Sequence, residues 1–139
     1  MSNLSLEQQI VSVLDNNEFC SFGTVENGKP RVRYMALFHD ELTIYLATNR
    51  KTDKVEEIRD NPHVHILVGF DGKPSSDILQ IEATGSVSTD ESLREKVWRD
   101  DFKEWFDGPH DPEYVILKIV PSRIEYYSGK SEQQVWQAK

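Results

Sequence analysis

Residues 19–48 read as three strand-like segments joined by turns of two or three residues. The first, 19–25, runs into Asn27-Gly28, a pair that tolerates the positive φ a tight hairpin needs. The second, 31–38, meets His39-Asp40-Glu41, and the third follows over 42–48. Connections this short cannot carry a parallel crossover, which takes about a dozen residues or more, so the strands are antiparallel. Further strands are predicted at 63–70, 78–88, 114–120 and 123–127, with Asp71-Gly72-Lys73-Pro74 as a turn and Pro121 dividing the last two. Short antiparallel strands in this number commonly close into a barrel.

Three helices are predicted around them. Ser5 and Gln8 stand at capping-box spacing, and Leu6, Ile10, Val13 and Leu14 then share one face, so a helix covers 6–15. A second helix is capped by Thr52 or Asp53, turns Val55 and Ile58 inward and stops at Asn61-Pro62. A third opens at Asp90-Glu91, where acidic charge suits the dipole, and carries Leu93, Val97, Trp98, Phe102, Trp105 and Phe106. The fold class is therefore α+β: an antiparallel barrel of six to seven strands with three helices. One domain is expected over 1–139, with the N-terminal helix within 1–17 and a tail from 129 to 139.

Charge narrows the function. The chain has 16 Lys and Arg against 24 Asp and Glu, a net charge of −8, which argues against binding nucleic acid, whose phosphates call for clustered cations. Residues 29–54 depart from that balance, with six bases (Lys29, Arg31, Arg33, Arg50, Lys51, Lys54) and three acids. Such a stretch is either a small anion site or an ordinary solvated face. No apolar run approaches the ~20 residues needed to cross a bilayer. Cys20 has no second cysteine to pair with, and the N-terminus shows no secretory signal, so a cytoplasmic location is expected.

The basic stretch has a geometry. A strand ends near Thr48, a few residues follow, and a helix begins near Thr52. Free backbone N–H groups and the positive end of the helix dipole would face whatever lies beyond the strand end. Thr52 can donate a hydroxyl there, Lys54 an ammonium, and Arg33 on the neighbouring strand a planar fork suited to phosphate oxygens. The alternative is a capped helix with solvated lysines.

Several segments together resemble a family. R-Y-M at 33–35, A-T-N-R-K-T-D-K at 47–54, N-P at 61–62 and L-Q-I at 79–81 are similar, in order and spacing, to the pyridoxamine 5'-phosphate oxidase-like flavin split barrels. W-R-D-D-F-K-E-W-F-D-G-P-H-D-P-E-Y at 98–114 resembles their general-stress-protein branch. The resemblance, running from about residue 19 to 127, implies a split barrel that binds flavin mononucleotide (FMN) as a homodimer. Arg33, Thr52 and Lys54 fall where these proteins hold the phosphate, and Met35 falls beside the flavin ring. Ala47 and Thr48 match the strand end against the same cofactor. Gln80 matches a glutamine reaching the flavin from the partner subunit.

Departures from the pattern also bear on function. Asp53 stands where the oxidases have a basic residue, Phe38 replaces a lysine some members place near the ring, and Tyr127 replaces a tryptophan. After Tyr127 there is neither Arg nor His, the pair with which the oxidases grip their substrate. The resemblance thus implies an FMN-binding oxidoreductase or stress-related flavin protein acting on a small molecule, and not a vitamin B6 oxidase. A flavin carrier or sensor without turnover, or a barrel that binds deazaflavin or haem, are the alternatives. No side chain stands out as a general acid or base.

Other residues have plainer readings. His63 and His65 share a strand face but lack a third ligand at a matching spacing, so an exposed face is expected rather than a metal site. Cys20 reads as a buried thiol, and Asp100-Asp101 as the outer side of a helix. Trp98, Trp105 and Phe106 read as packing, with a wall of the flavin pocket as the competing role for the last two. Trp136, alone in a polar tail, is expected to dock on something, with a partner subunit the obvious surface.

Overall fold

The computed structural model describes residues 5–69, 76–129 and 132–139. The first helix, α1 (Leu6–Asp15), begins with the expected capping box: the Gln8 N–H donates to Ser5 Oγ at 3.1 Å and the Ser5 N–H to Gln8 Oε1 at 2.9 Å. It buries Ile10, Val13 and Leu14. The hairpin of β1 (Phe19–Glu26) and β2 (Lys29–Ala36) turns at Asn27 and Gly28, both at positive φ (53° and 76°). Then come β3 (Phe38–Asp40), β4 (Thr43–Asn49), α2 (Asp53–Asp60), β5 (His63–Gly69) and β6 (Asp77–Ser88). Next are α3 (Glu91–Val97), a 3-10 turn (Asp100–Glu104), β7 (Tyr114–Ser128) and β8 (Gln134–Gln137). Every strand pairing is antiparallel, in the order β2-β1-β5-β6-β7-β4-β3, with β8 on β7. This is an antiparallel split barrel with three helices.

The chain differs from the sequence expectation at four places. The segment 31–38 is two strands: β2 ends at Ala36, and β3 takes up pairing with β4, with Phe38 opposite Tyr45. Pro121 does not divide a strand, because β7 passes through it: Ala83 pairs with Pro121 and Glu82 with Arg123, leaving Ser122 as the extra residue of a bulge. A bulge is where a residue without an N–H is tolerated. The third helix stops at Val97; Trp98 and Arg99 are extended, and the 3-10 turn follows. The break lets Trp98, Phe102 and Phe106 pack around Tyr114, at centroid distances of 5.4, 6.1 and 5.1 Å, where one straight helix would line them along a stripe. Finally, the tail forms β8, which sets Trp136 opposite Ile124 and against the core of its own chain. The expected turn over residues 71–74 lies outside the described residues.

The larger core collects Phe22, Ile66, Ile81, Leu117 and Ile119 with the inward faces of α1 and α2. Gly85 allows α2 to approach: a Cβ there would stand 3.1 Å from Ile119 Cδ1 and 3.5 Å from Ile58. The smaller core, around Tyr114, packs the 3-10 turn onto the start of β7.

The split follows from the β2–β3 junction. At Leu37, whose N–H donates to Glu18 O, the chain leaves β1 and crosses to β4. Were the β3–β4 register to continue, Ala36 would face Ala47 and Tyr34 would face Asn49. Because β2 pairs with β1 instead, a gap opens between those residues.

Candidate functional site

That gap is a cleft of about 520 Å³. It is lined by Arg33–Ala36 of β2 and Ala47–Asn49 of β4, with Phe19, Lys54 of α2, and Phe102, Trp105 and Phe106. The volume is ordinary for a small-molecule pocket. Of the residues singled out from sequence, Arg33, Met35, Ala47, Thr48 and Lys54 line this one cleft. Thr52 is not in the lining: its hydroxyl donates to Asn49 O at 2.9 Å and lies 3.3 Å from Oγ1 of Thr48, which is. Thr52 occupies the N-cap position of α2 without a side-chain capping bond, because its hydroxyl is used on the loop before it.

Gln80 lies elsewhere. It sits in β6 opposite Leu67 and Glu125, on the outer face of the sheet. The cleft of this chain does not include it.

The loop between β4 and α2 is fastened by four bonds. Asn49 Oδ1 accepts from the Lys51 N–H at 2.8 Å, and the Arg50 N–H donates to Glu113 O at 2.8 Å. Glu113 also takes the Lys51 ammonium at 2.7 Å and the Asn49 amide at 3.2 Å. The Lys51 bond, followed by the Asn49 bond, holds the Glu113 carboxyl below the usual carboxylate range. Lys51 is thereby committed to Glu113, while the first-turn amides of Asp53 and Lys54 have no acceptor within the helix.

Behind the cleft lies a polar relay that sequence reasoning missed. Arg33 Nη1 donates to Thr24 Oγ1 at 2.8 Å, and Thr24 Oγ1 donates in turn to Glu57 Oε1 at 2.8 Å. Arg33 Nη2 reaches the same oxygen at 3.4 Å, and Nη1 also approaches Phe22 O at 3.4 Å. Glu57 is only 3% exposed, and its other oxygen, Oε2, is buried without a hydrogen-bond partner. Arg31 Nε stands 4.0 Å from Oε1. The ammonium of Lys54 is easier to deprotonate than an ordinary lysine, first through burial and then through repulsion by Arg33, with Glu57 and Asp53 opposing the shift. One clue was available: Glu57 lies between Val55 and Ile58 on the buried side of α2, three residues after Lys54.

Asp53 is outside the lining: its side chain is 78% exposed and lies 3.9 Å from Arg31. Phe38, in place of a lysine, packs edge-on to Phe102 and lies under the Arg99 guanidinium. Tyr127 donates its hydroxyl to Glu125 at 2.7 Å on the far side of the barrel. Trp105 and Phe106 both line the cleft. Phe106 is also packed on Tyr114, whereas Trp105 is 68% exposed.

The remaining candidates fall outside the cleft. His63 and His65 are exposed on β5, as are Asp100 and Asp101 in the 3-10 turn, and among the described residues no three His, Cys, Asp or Glu side chains group as a metal site. Cys20 is buried, and burial pushes its thiol up to about 12. No described helix is long and apolar enough to cross a membrane.

The chain is similar to several known proteins. A family model, pyridoxamine 5'-phosphate oxidase, matches residues 6–128. General stress protein 26 of Bacillus subtilis is 41% identical over 125 residues, covering 89% of each chain. The crystal structure of general stress protein 26 from Bacillus anthracis superposes with a TM-score of 0.84 at 33% identity, covering 94% of this chain and 98% of that one. A structure from Listeria innocua, described as a candidate pyridoxamine 5'-phosphate oxidase, gives a TM-score of 0.79 at 38% identity, over 88% of this chain and 98% of that one. A haem-binding protein from Mycobacterium smegmatis shares the fold at 10% identity, with a TM-score of 0.80, over 99% of this chain and 60% of its own. With the split-barrel fold, the family match across 6–128 and the similarity to general stress protein 26 all in agreement, this chain belongs to the pyridoxamine 5'-phosphate oxidase family, in its general-stress-protein branch.

Proposed function

We propose that the seam cleft binds FMN and that the protein works as a flavin-dependent oxidoreductase on a small molecule. The observation that carries this reading is the pairing of opposite chemistries in one cleft. Cationic Arg33 and Lys54 line it together with Met35, Phe102, Trp105 and Phe106. A phosphorylated flavin combines the same two characters, an anionic end and a large flat ring. Arg33, Thr52 and Lys54 would hold the phosphate, Met35, Ala47 and Thr48 the ring side. Bound there, the flavin would supply reversible hydride and electron transfer, while the protein binds and orients it.

The lining holds no histidine, cysteine or carboxylate among the described residues. The chain's own part is therefore positioning and exclusion of water, and no residue is assigned a proton-transfer role.

A homodimer that completes the site goes with this proposal. On β2, the alternation puts Arg31 and Arg33 on the α2 side and turns Val32 (71% exposed) and Tyr34 (84% exposed) outward. Phe19 and Leu67 are exposed in the neighbouring strands β1 and β5. An outward apolar face of this kind suits burial against a second copy, and Gln80 lies on it beside Leu67. The absorption spectrum of freshly purified protein tests the proposal. Flavin bands, with FMN released on denaturation, support it; a Soret band, or a deazaflavin released in place of FMN, overturns it.

A further inference from the structure

We propose that the buried Glu57 carboxylate is an internal counter-ion that occupies Arg33 in the free protein and competes with the ligand's phosphate, so that it sets how strongly the site prefers a phosphorylated flavin. This rests on the FMN reading above and goes beyond it, since it concerns a residue outside the lining of the cleft.

Arg33 is the guanidinium best placed for a phosphate, yet it is not idle. One Nη is spent on Thr24 and Phe22 O, and the other reaches toward Glu57. Thr24, itself buried, both accepts from Arg33 and donates to Glu57, so the three side chains hold each other in one geometry. A carboxylate this deeply buried needs compensation, and here the compensation is the cation that would meet the ligand.

The charges facing the cradle are Arg31, Arg33 and Lys54 on one side and Asp53 and Glu57 on the other. Asp53 is solvated, so its field is screened. Glu57 is buried beneath the cations, where the effective dielectric is lower and its field is felt more strongly. Its unpartnered Oε2 adds to the asymmetry, because no neutral donor softens that oxygen. An incoming phosphate thus meets two cations that an internal anion already partly neutralises. Glu57 fixes the direction of Arg33 while lowering its attraction for a dianion.

The test is Glu57→Gln in the full-length protein, with FMN, riboflavin and inorganic phosphate as probes. Removing the charge while keeping an acceptor for Thr24 is expected to raise the ratio of FMN to riboflavin affinity about tenfold, leave riboflavin unchanged and tighten inorganic phosphate. The variant should also melt lower than the wild type without phosphate and recover more on adding it, because phosphate takes over as the counter-ion of Arg33. Glu57→Met, similar in volume and uncharged, should act in the same direction. An unchanged or lowered ratio overturns the proposal, and so does failure of both variants to fold in phosphate as well as without it, which would mark Glu57 as purely structural. If the wild type itself shows no preference for FMN over riboflavin, the FMN reading fails. If the wild type has that preference and the variants keep it unchanged, only the role of Glu57 fails.

Discussion

Arg33 and Glu57 meet at 3.4 Å beneath the seam of the barrel, and the hydroxyl of Thr24 bridges them at 2.8 Å on each side. This places a buried ion pair directly behind the proposed phosphate cradle, so binding and stability share residues there.

Lys54 and Arg33 should therefore separate in a double measurement. Either change to Ala is expected to weaken FMN binding by about 1.5–3 kcal/mol and to leave riboflavin nearly unaffected. Arg33→Ala should in addition lower folding stability by about 3 kcal/mol, because it strands Glu57 as a buried unpaired charge. Lys54→Ala lacks that second effect. Calorimetric titration alongside urea unfolding reads both quantities, and equal stability losses would contradict the pairing.

Binding of FMN should fall at a lower pH than an unperturbed lysine would give. Burial and then Arg33 lower the Lys54 value from 10.5, so the ammonium that attracts phosphate is lost as pH rises through the depressed folded value. In the unliganded protein the sign is opposite. Between the folded value and 10.5 the unfolded chain binds more protons, so the Lys54 contribution makes stability rise with pH in that window. Affinity measured against pH should lose its alkaline limb in Lys54→Arg, which stays protonated; a limb that persists there belongs to another group.

Asp53→Arg should tighten FMN only modestly. The side chain is largely solvated and leans to Arg31, so about 0.5 kcal/mol is expected, disappearing in high salt. A tenfold gain at high ionic strength would show that Asp53 points into the cradle.

Trp105 and Phe106 are neighbours with different duties. Trp105→Ala, at an exposed position on the cleft wall, should change stability by less than about 0.5 kcal/mol while weakening FMN and riboflavin alike. Phe106→Ala opens the packing around Tyr114 and should cost about 3 kcal/mol of stability. Thermal unfolding and flavin fluorescence separate the two.

Legibility in the sequence followed the range of the interactions. Ser5 with Gln8 and Asn27 with Gly28 are local signals, and both appear as read. Pro121 misled because the bulge that accommodates it depends on pairing with β6, nearly forty residues earlier. Periodicity joined Leu93 to Phe106 into one helix because it cannot see Tyr114, around which the aromatics break the helix to pack. In the site, Arg33 and Lys54 follow from the basic stretch over 29–54 and Met35, Ala47 and Thr48 from the family resemblance, and the five meet in one cleft. Glu57 was missed because in isolation it reads as one more charge on a solvated helix; Thr24 and Arg33, brought by β1 and β2, are what bury it. Gln80, given by the resemblance alone, lies on the outer face of the sheet and outside this cleft.

A shared site can be checked by mixing subunits. On the shared-site proposal, Lys54→Ala and Gln80→Ala homodimers would each carry two damaged sites, whereas their heterodimer would regain one intact site. About half of the heterodimer sites should then bind FMN at wild-type affinity. Confirmed subunit exchange without that gain would place the whole site within one chain.

The most direct measurement is titration of the cofactor-free protein with FMN and with riboflavin under the same conditions. A phosphate cradle at Arg33, Thr52 and Lys54 gives FMN an advantage of about tenfold or more, and Lys54→Ala removes most of it. Equal affinity for the two flavins, or binding of neither, would contradict it.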